Sequence, residues 1–352
     1  MFDETFGSPA AVAATSDAAW VRAMLDAEAA LARACALVTL IPADAADAIE
    51  AACATDLVDP ADLARAAVAS ATPVVPLVAA IRAAVPGYAE HVHLGATSQD
   101  IVDTALMLVT GRTRAIIDAD LAGCLDRLAE LVKHHRTTTQ IGRTLLQPAE
   151  PTTFAETAGG WLDAIEYARA GLARLPLVVQ LGGAVGNLAA FGVQGRRVGM
   201  RMADRLGLAY ADPWQTDRAR IAELGAALGV VAGTLGKVAL DVMLLAQAEL
   251  GEVSEAPPNG GGRSSAMPHK RNPARAVLTA AAAHRAPALV STLFAGLPQE
   301  LQRAAGRWQA EWPTVTELLR VTAGAAHHAR AMLDHLRVHP DRMAANVPAA
   351  WS

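Results

Sequence analysis

Residues 103–140 read DTALMLVTGRTRAIIDADLAGCLDRLAELVKHHRTTTQ, a stretch striped with Leu, Ile and Val and free of proline. Apolar residues return every three to four positions, which predicts one long helix with an apolar side. Gly111 and Gly123 are weak interruptions, because a glycine inside a helix costs about 1 kcal/mol relative to alanine without ending it. Short neighbours cannot cover so long a stripe, so other long helices must pack on it.

The flanking sequence supplies them. Ser16 is placed to cap a helix carrying Trp20, Met24, Leu25, Ala29 and Leu31 at helical spacing, with Pro42 as its stop. Shorter helices are expected near 43–55, 60–69 and 73–84. Longer ones are expected near 154–174, 214–248, 273–294 and 301–336, with a further helical segment at 196–208. Alternating strand patterns are scarce, and PLVVQLGG (176–183) is the main candidate strand. The expected fold is all-α, an elongated helical bundle whose exposed apolar seams call for partner subunits. An N-terminal helical domain over 1–102, a central long-helix bundle over 103–338 and a short tail over 339–352 divide the chain.

Composition narrows the classes of function. With 352 residues, 53% hydrophobic and 18% charged, the chain can bury a substantial core. Thirty-five acidic against 30 basic residues, a net charge of -5, leave no basic footprint for nucleic acid. Cys35, Cys53 and Cys124 lie in helical patterns without metal spacing, and their odd number argues against a disulfide framework. They read as core thiols of a reducing compartment. The N-terminus MFDETFGSPAAVAATSD has no signal-like pattern, and no uninterrupted apolar stretch reads as long enough for a bilayer. A cytoplasmic protein without membrane or nucleic-acid partners is expected.

Three polar loops concentrate the chemistry: 91–100, 142–153 and 259–273. The first offers His91, His93, Thr97, Ser98, Gln99 and Asp100 at the mouth of the long helix. Thr97 and Ser98 can cap it, and its free amides can receive a carboxylate; a plain hydrophilic cap is the alternative. The third contains SSAMPHKRNP (264–273). There Ser264 or Ser265 can transfer a proton if amides and cations lower its pKa, and Lys270 and Arg271 can neutralise carboxylates. A solvated basic turn is the competing reading.

Other constellations fail. His134 and His135 are adjacent on a helix and diverge, as do His327 and His328, so each reads as a surface or interface residue. No paired-Cys motif supports a metal, and no cofactor is expected. Gly182, Gly183 and Gly186 lack the dinucleotide fingerprint and read as close helix contact or a turn beside a pocket.

GGRSSAMPHKRNP (261–273) resembles the signature loop of the fumarase/aspartase superfamily. HVHLGATSQDIVDTALML (91–108) and IGRTLLQPAEPTTFAE (141–156) are similar to its two other motif regions, in the same order. Together with AAGRWQAEW (304–312) they look most like the bacterial 3-carboxy-cis,cis-muconate cycloisomerases. Adenylosuccinate- or argininosuccinate-type lyases, or a helical scaffold retaining an anion pocket, are the alternatives.

The resemblance implies a homotetramer with each site assembled from three chains and a small polycarboxylate substrate. It also implies a cofactor-independent lactonisation in protocatechuate degradation. Residue by residue it makes Ser264 the proton-transfer group, with Lys270 and Asn272 holding carboxylate oxygens. His93, Thr97 and Ser98 anchor another carboxylate, and Arg143, Thr144 and Gln147 come from the second region. Arg263, Ser265, Met267, His269 and Arg271 are further loop candidates. Many superfamily lyases have a general-acid histidine directly after GRT; this chain has Leu145 there, with Pro148 nearby and Arg263 where glycine is usual. Related enzymes continue into a third helical domain of about a hundred residues, a span typical of a small domain, so the tail at 339–352 is expected to replace or truncate it.

Overall fold

The computed structural model describes residues 2–256, 261–267 and 269–350. Asn259, Gly260 and Pro268 of the third polar loop lie outside the described residues. The N-terminal helices are α1 (Phe2–Phe6), α2 (Pro9–Ala14), α3 (Asp17–Leu37), α4 (Ala43–Cys53), α5 (Pro60–Ala67) and α6 (Val74–Ala84). Next come α7 (Ser98–His134), the strands β1 (Thr139–Thr144) and β2 (Gln147–Thr153), α8 (Phe154–Ala173), α9 (Gly195–Leu206) and α10 (Ala219–Leu245). The chain ends with β3 (Val253–Glu255), α11 (Ala274–Ala295), α12 (Arg307–Asp334), β4 (Leu336–Val338) and α13 (Pro340–Ala345). The fold is the expected elongated helical bundle.

The stripe of the opening stretch becomes α7, a single helix of 37 residues. At 1.5 Å per residue it is about 55 Å long. Leu106, Val109, Ile117, Leu121, Leu128 and Leu131 are its buried face, covered by α3, α8 and α12. α10 packs on α8, α11 and α12 and completes the bundle. α10 and α11 close tightly because Gly236 lacks a side chain, since a Cβ there would lie 2.7 Å from that of Ala283. All three cysteines are buried and free, as expected of core thiols.

Ser16 caps α3, its hydroxyl accepting the Ala19 amide at 3.2 Å. The helix ends at Leu37, before Pro42, because the chain turns at Thr39 (φ 62°); Pro42 instead precedes α4. PLVVQLGG is not a strand; only Val178 forms a bridge, parallel, to Ala209. The hairpin lies where a loop was expected, β1 pairing antiparallel with β2 and Arg143 opposite Pro148. Pro148 and Pro151 hid it, yet a two-stranded ribbon is all edge, where proline is tolerated. β3 and β4 form a second short antiparallel pair. The last long helix starts at Arg307 rather than 301, after Gly306 with φ 107°.

Two further expectations are corrected. α10 and α11 are long and apolar enough, by length and composition, to cross a membrane. His328 is a core residue, 3% exposed, because its turn of α12 faces α11 and the N-terminal segment. Its Nδ1 lies 2.8 Å from the Arg275 guanidinium, and its Nε2 lies 3.1 Å from the Thr5 carbonyl.

Candidate active site

The first polar loop sits at the N-terminus of α7. Asp100, fully buried, turns back to accept the Thr97 amide at 3.0 Å, so the helix start is locked from within. Its oxygens also accept the amides of Gly182 (2.8 Å) and Gly183 (2.9 Å) and the Gln180 side chain (3.2 Å). Burial pushes the Asp100 carboxyl up to about 6 in spite of these donors. The glycine cluster is therefore a turn wrapped on Asp100. Gly183, at φ 71°, has no room for a Cβ, which would meet the Gly95 carbonyl at 2.9 Å.

Thr97 and Ser98 begin α7, and the Thr97 hydroxyl accepts from Arg303 at 2.5 Å. Arg303 reaches in from the segment before α12 and also donates to the Ala184 carbonyl at 3.1 Å. Its Nε is buried without a hydrogen-bond partner, and no carboxylate pairs with it among the described residues. His93 flanks the same helix start with φ 62°, its Nδ1 2.6 Å from Glu28 Oε1. The region thus gathers a guanidinium, an imidazole, a hydroxyl and helix N-terminal amides, a donor set suited to carboxylate oxygens.

The other two loops lie at the opposite end of the bundle. The turn of the β1–β2 hairpin is Leu145–Leu146, both at positive φ (50° and 65°), with Leu145 96% exposed. Arg143 forks onto Glu252, at 2.6 Å and 3.3 Å, and Glu252 is also held by Gln140 (2.9 Å) and Asn346 (2.8 Å). Glu252 is fully buried, so the Arg143 charge is committed to it. Thr144 and Gln147 pair across the turn as strand residues.

The signature loop folds back on itself in front of α11. Arg263 bridges to Arg271, and the Asn272 amide donates to the Gly262 carbonyl at 2.8 Å. Inside it, Ser264 Oγ accepts the amides of Ala266 (3.3 Å) and Met267 (3.1 Å). Two N–H groups aimed at one hydroxyl oxygen favour its alkoxide, which suits a proton-transfer group. Ser265, Met267, His269, Lys270 and Arg271 are exposed around it, and Asn272 is half-buried. Glu255 receives the first amides of α11, from Arg275 (3.0 Å) and Ala276 (2.8 Å), and so anchors the loop's far side.

The length of α7, about 55 Å, separates His93, Thr97 and Ser98 from the hairpin that carries Arg143. The signature loop with Ser264, Lys270 and Asn272 opens α11 in that same far half of the bundle, where Arg275 meets His328. One chain does not bring the three motif regions together. Two residues of the first region escaped the sequence reading. Glu28 left a signal, an acidic residue inside the apolar stripe of α3. Arg303 left none, because its place follows only from how an irregular segment packs.

A family profile described as a lyase matches residues 5–287. A nitrosuccinate lyase of Streptomyces davaonensis is 45% identical over 350 residues, covering 95% of this chain and 74% of that protein. A 3-carboxy-cis,cis-muconate cycloisomerase of Pseudomonas aeruginosa is 45% identical over 355 residues, covering 99% and 77%. Among solved structures, a 3-carboxy-cis,cis-muconate lactonizing enzyme of Pseudomonas putida superposes with a TM-score of 0.94 at 42% identity, covering 99% of this chain and 80% of that one.

Proposed function

Since the chain belongs to this lyase family, within the fumarase/aspartase superfamily, we propose that it is a cofactor-independent intramolecular lyase that closes 3-carboxy-cis,cis-muconate to 4-carboxymuconolactone, a step of protocatechuate degradation. The carrying observation is the near-complete superposition on the Pseudomonas putida lactonizing enzyme, joined to a serine whose oxygen sits under two amides. In the closure a substrate carboxylate oxygen bonds to one alkene carbon, and Ser264 delivers a proton to its neighbour. The C=C π bond is consumed, no atom leaves, and the alkoxide regains its proton from solvent. Loop amides stabilise the charge-delocalised aci-carboxylate that exists before the proton arrives, while Lys270 and Asn272 hold its oxygens. The first region, with His93, Thr97 and Ser98, binds a second carboxylate.

The separation of the regions supports a homotetramer with sites shared between three chains. Val230 and Leu240 of α10, and Val277 and Phe294 of α11, are each about half exposed and form apolar seams suited to such contacts. Light scattering of the purified protein is expected to give four chains; a stable monomer that turns over substrate rules out the shared site. A cytoplasmic location belongs to the same reading, supported by three unpaired thiols that burial pushes up to about 12.

The Streptomyces relative, at the same identity as the Pseudomonas aeruginosa one, favours a second reading of the same machinery. Removal of a proton from nitrosuccinate and departure of nitrite would leave fumarate, with Ser264 as the base. Purified protein is offered 3-carboxy-cis,cis-muconate and nitrosuccinate separately, and lactone and nitrite are measured. Lactone formation carries the first reading. Nitrite release without lactone replaces it with the second.

A further inference from the structure

The first motif region contains a buried carboxylate with one partner. Glu28 lies on the core face of α3 between Ala27 and Ala30, with its side chain 1% exposed. Oε1 is 2.6 Å from His93 Nδ1, and Oε2 is buried without a hydrogen-bond partner among the described residues. A carboxylate removed from water needs a counter-charge within hydrogen-bond reach, and among the described residues the group in place to supply it is the imidazole. His93 is held for the purpose at φ 62°, a conformation a non-glycine residue keeps only where its surroundings impose it.

We propose that Glu28 is a positioning residue: it holds His93 as the imidazolium and turns its Nε2–H outward as a charged anchor for one carboxylate of the substrate. This rests on the reading of the first region as a carboxylate site. Nε2 makes no hydrogen bond among the described residues, and the side chain is 15% exposed, so one ring edge faces the interior acid and the other remains accessible. A neutral imidazole donating from Nδ1 to Glu28 would present only a lone pair at Nε2, which repels a carboxylate. The protonated ring donates on both sides.

Three charged groups act on the ring: Glu28 from α3, Asp100 from the start of α7 and Arg82 from α6. Burial works to lower the His93 pKa, Glu28 and then Asp100 act to raise it, and Arg82 opposes them weakly; the net direction is upward. The charge on the anchor is thus fully present below the ordinary imidazole value and is lost as pH rises through the raised one. Above that value polycarboxylate affinity falls about tenfold per pH unit for as long as binding requires the proton.

The test uses the full-length protein, with histidine ring resonances followed by NMR and tricarballylate, an unreactive tricarboxylate, as the binding probe. In Glu28→Gln the His93 midpoint is expected to fall by a unit or more, tricarballylate to bind about tenfold more weakly at pH 7, and the loss in turnover to appear in KM before kcat. Glu28→Asp, which keeps the charge, should recover most of the midpoint. An unchanged midpoint in folded Glu28→Gln overturns the proposal. If that variant does not fold, the wild type decides against His93→Gln: tricarballylate binding with the same pH dependence in both also overturns it. Neither measurement needs turnover. Failure to form lactone therefore rejects the assigned reaction and leaves the dyad standing, whereas a pH-independent anchor rejects the dyad alone.

Discussion

Asp103 of α7 and Arg218, the residue before α10, meet fork to fork in the core, with NH1 2.7 Å from Oδ2 and NH2 3.1 Å from Oδ1. Glu311 of α12 takes the remaining face of the guanidinium, with Nε at 3.1 Å from its Oε1. The Trp308 indole donates to Asp103 at 3.0 Å, and Trp214 stacks 5.0 Å from the guanidinium carbon. Burial works against the Arg218 cation, the two carboxylates more than offset it, and its pKa is raised. The cluster ties three long helices together at the end that carries His93.

Removing the cation leaves two buried carboxylates unpaired. Arg218→Met is expected to cost about 3–5 kcal/mol, the usual penalty for breaking a buried pair from one side. Glu311→Gln should cost less, because burial already pushes that carboxyl up and the amide retains hydrogen bonding. Urea unfolding of the three proteins measures the ranking; equal stabilities count against this account of the core.

Ser264 sits under two amides in the signature loop. Ser264→Ala should lower kcat by roughly 10²- to 10⁴-fold, the range for a positioned proton-transfer group, with KM and oligomer size nearly unchanged. Steady-state kinetics on whichever substrate is turned over settles the role, and an undiminished kcat assigns the proton to another group.

Arg303 faces the α7 terminus without a carboxylate partner among the described residues. Arg303→Gln removes the charge and retains a donor for Thr97. Because a charge-assisted hydrogen bond contributes about 1.5–3 kcal/mol, KM should rise roughly 10- to 100-fold with a smaller change in kcat. Tricarballylate inhibition provides the same comparison without turnover, and an unaltered inhibition constant removes Arg303 from the site.

His328 gives the stability a pH dependence whose sign is fixed. Burial, then the charge of Arg275, push its imidazole down from 6.5 to about 4. Between those values the unfolded chain binds a proton that the folded chain refuses. Stability from this group is therefore complete above pH 6.5 and declines as pH falls toward 4, by up to about 1.4 kcal/mol per pH unit. Urea unfolding of wild type and His328→Gln from pH 7.5 to 4.5 isolates the effect: the wild-type advantage should shrink on acidification, and parallel curves contradict it.

Much of the architecture is written locally. The stripe at 103–140 reads as a long helix because its period is a property of neighbouring residues, and α7 follows it from Ser98 to His134. The hydroxyl of Ser16 and the fold-back of Asp100 onto Thr97 are helix starts visible within four residues. The hairpin at 139–153 was not legible, since Pro148 and Pro151 mimic a loop unless the ribbon is known to have open edges. His328 misled for a similar reason: adjacency on a helix does not say which of the two rings faces the core, and instead of diverging the His327 and His328 rings stay in edge contact, with centroids 5.3 Å apart.

The candidate site divides the same way. The sequence by itself determined the three polar segments, their order, and the serine, lysine and asparagine of the signature loop, because motif spacing is covalent. Only the tertiary structure decided that Arg143 is committed to Glu252, that Arg303 lies on Thr97, and that Glu28 reaches His93 across 65 positions. Charges separated that far along a chain are paired by helix packing, which leaves no local pattern. The same packing holds the first segment far along the bundle from the other two, so a single copy of the chain does not join all three.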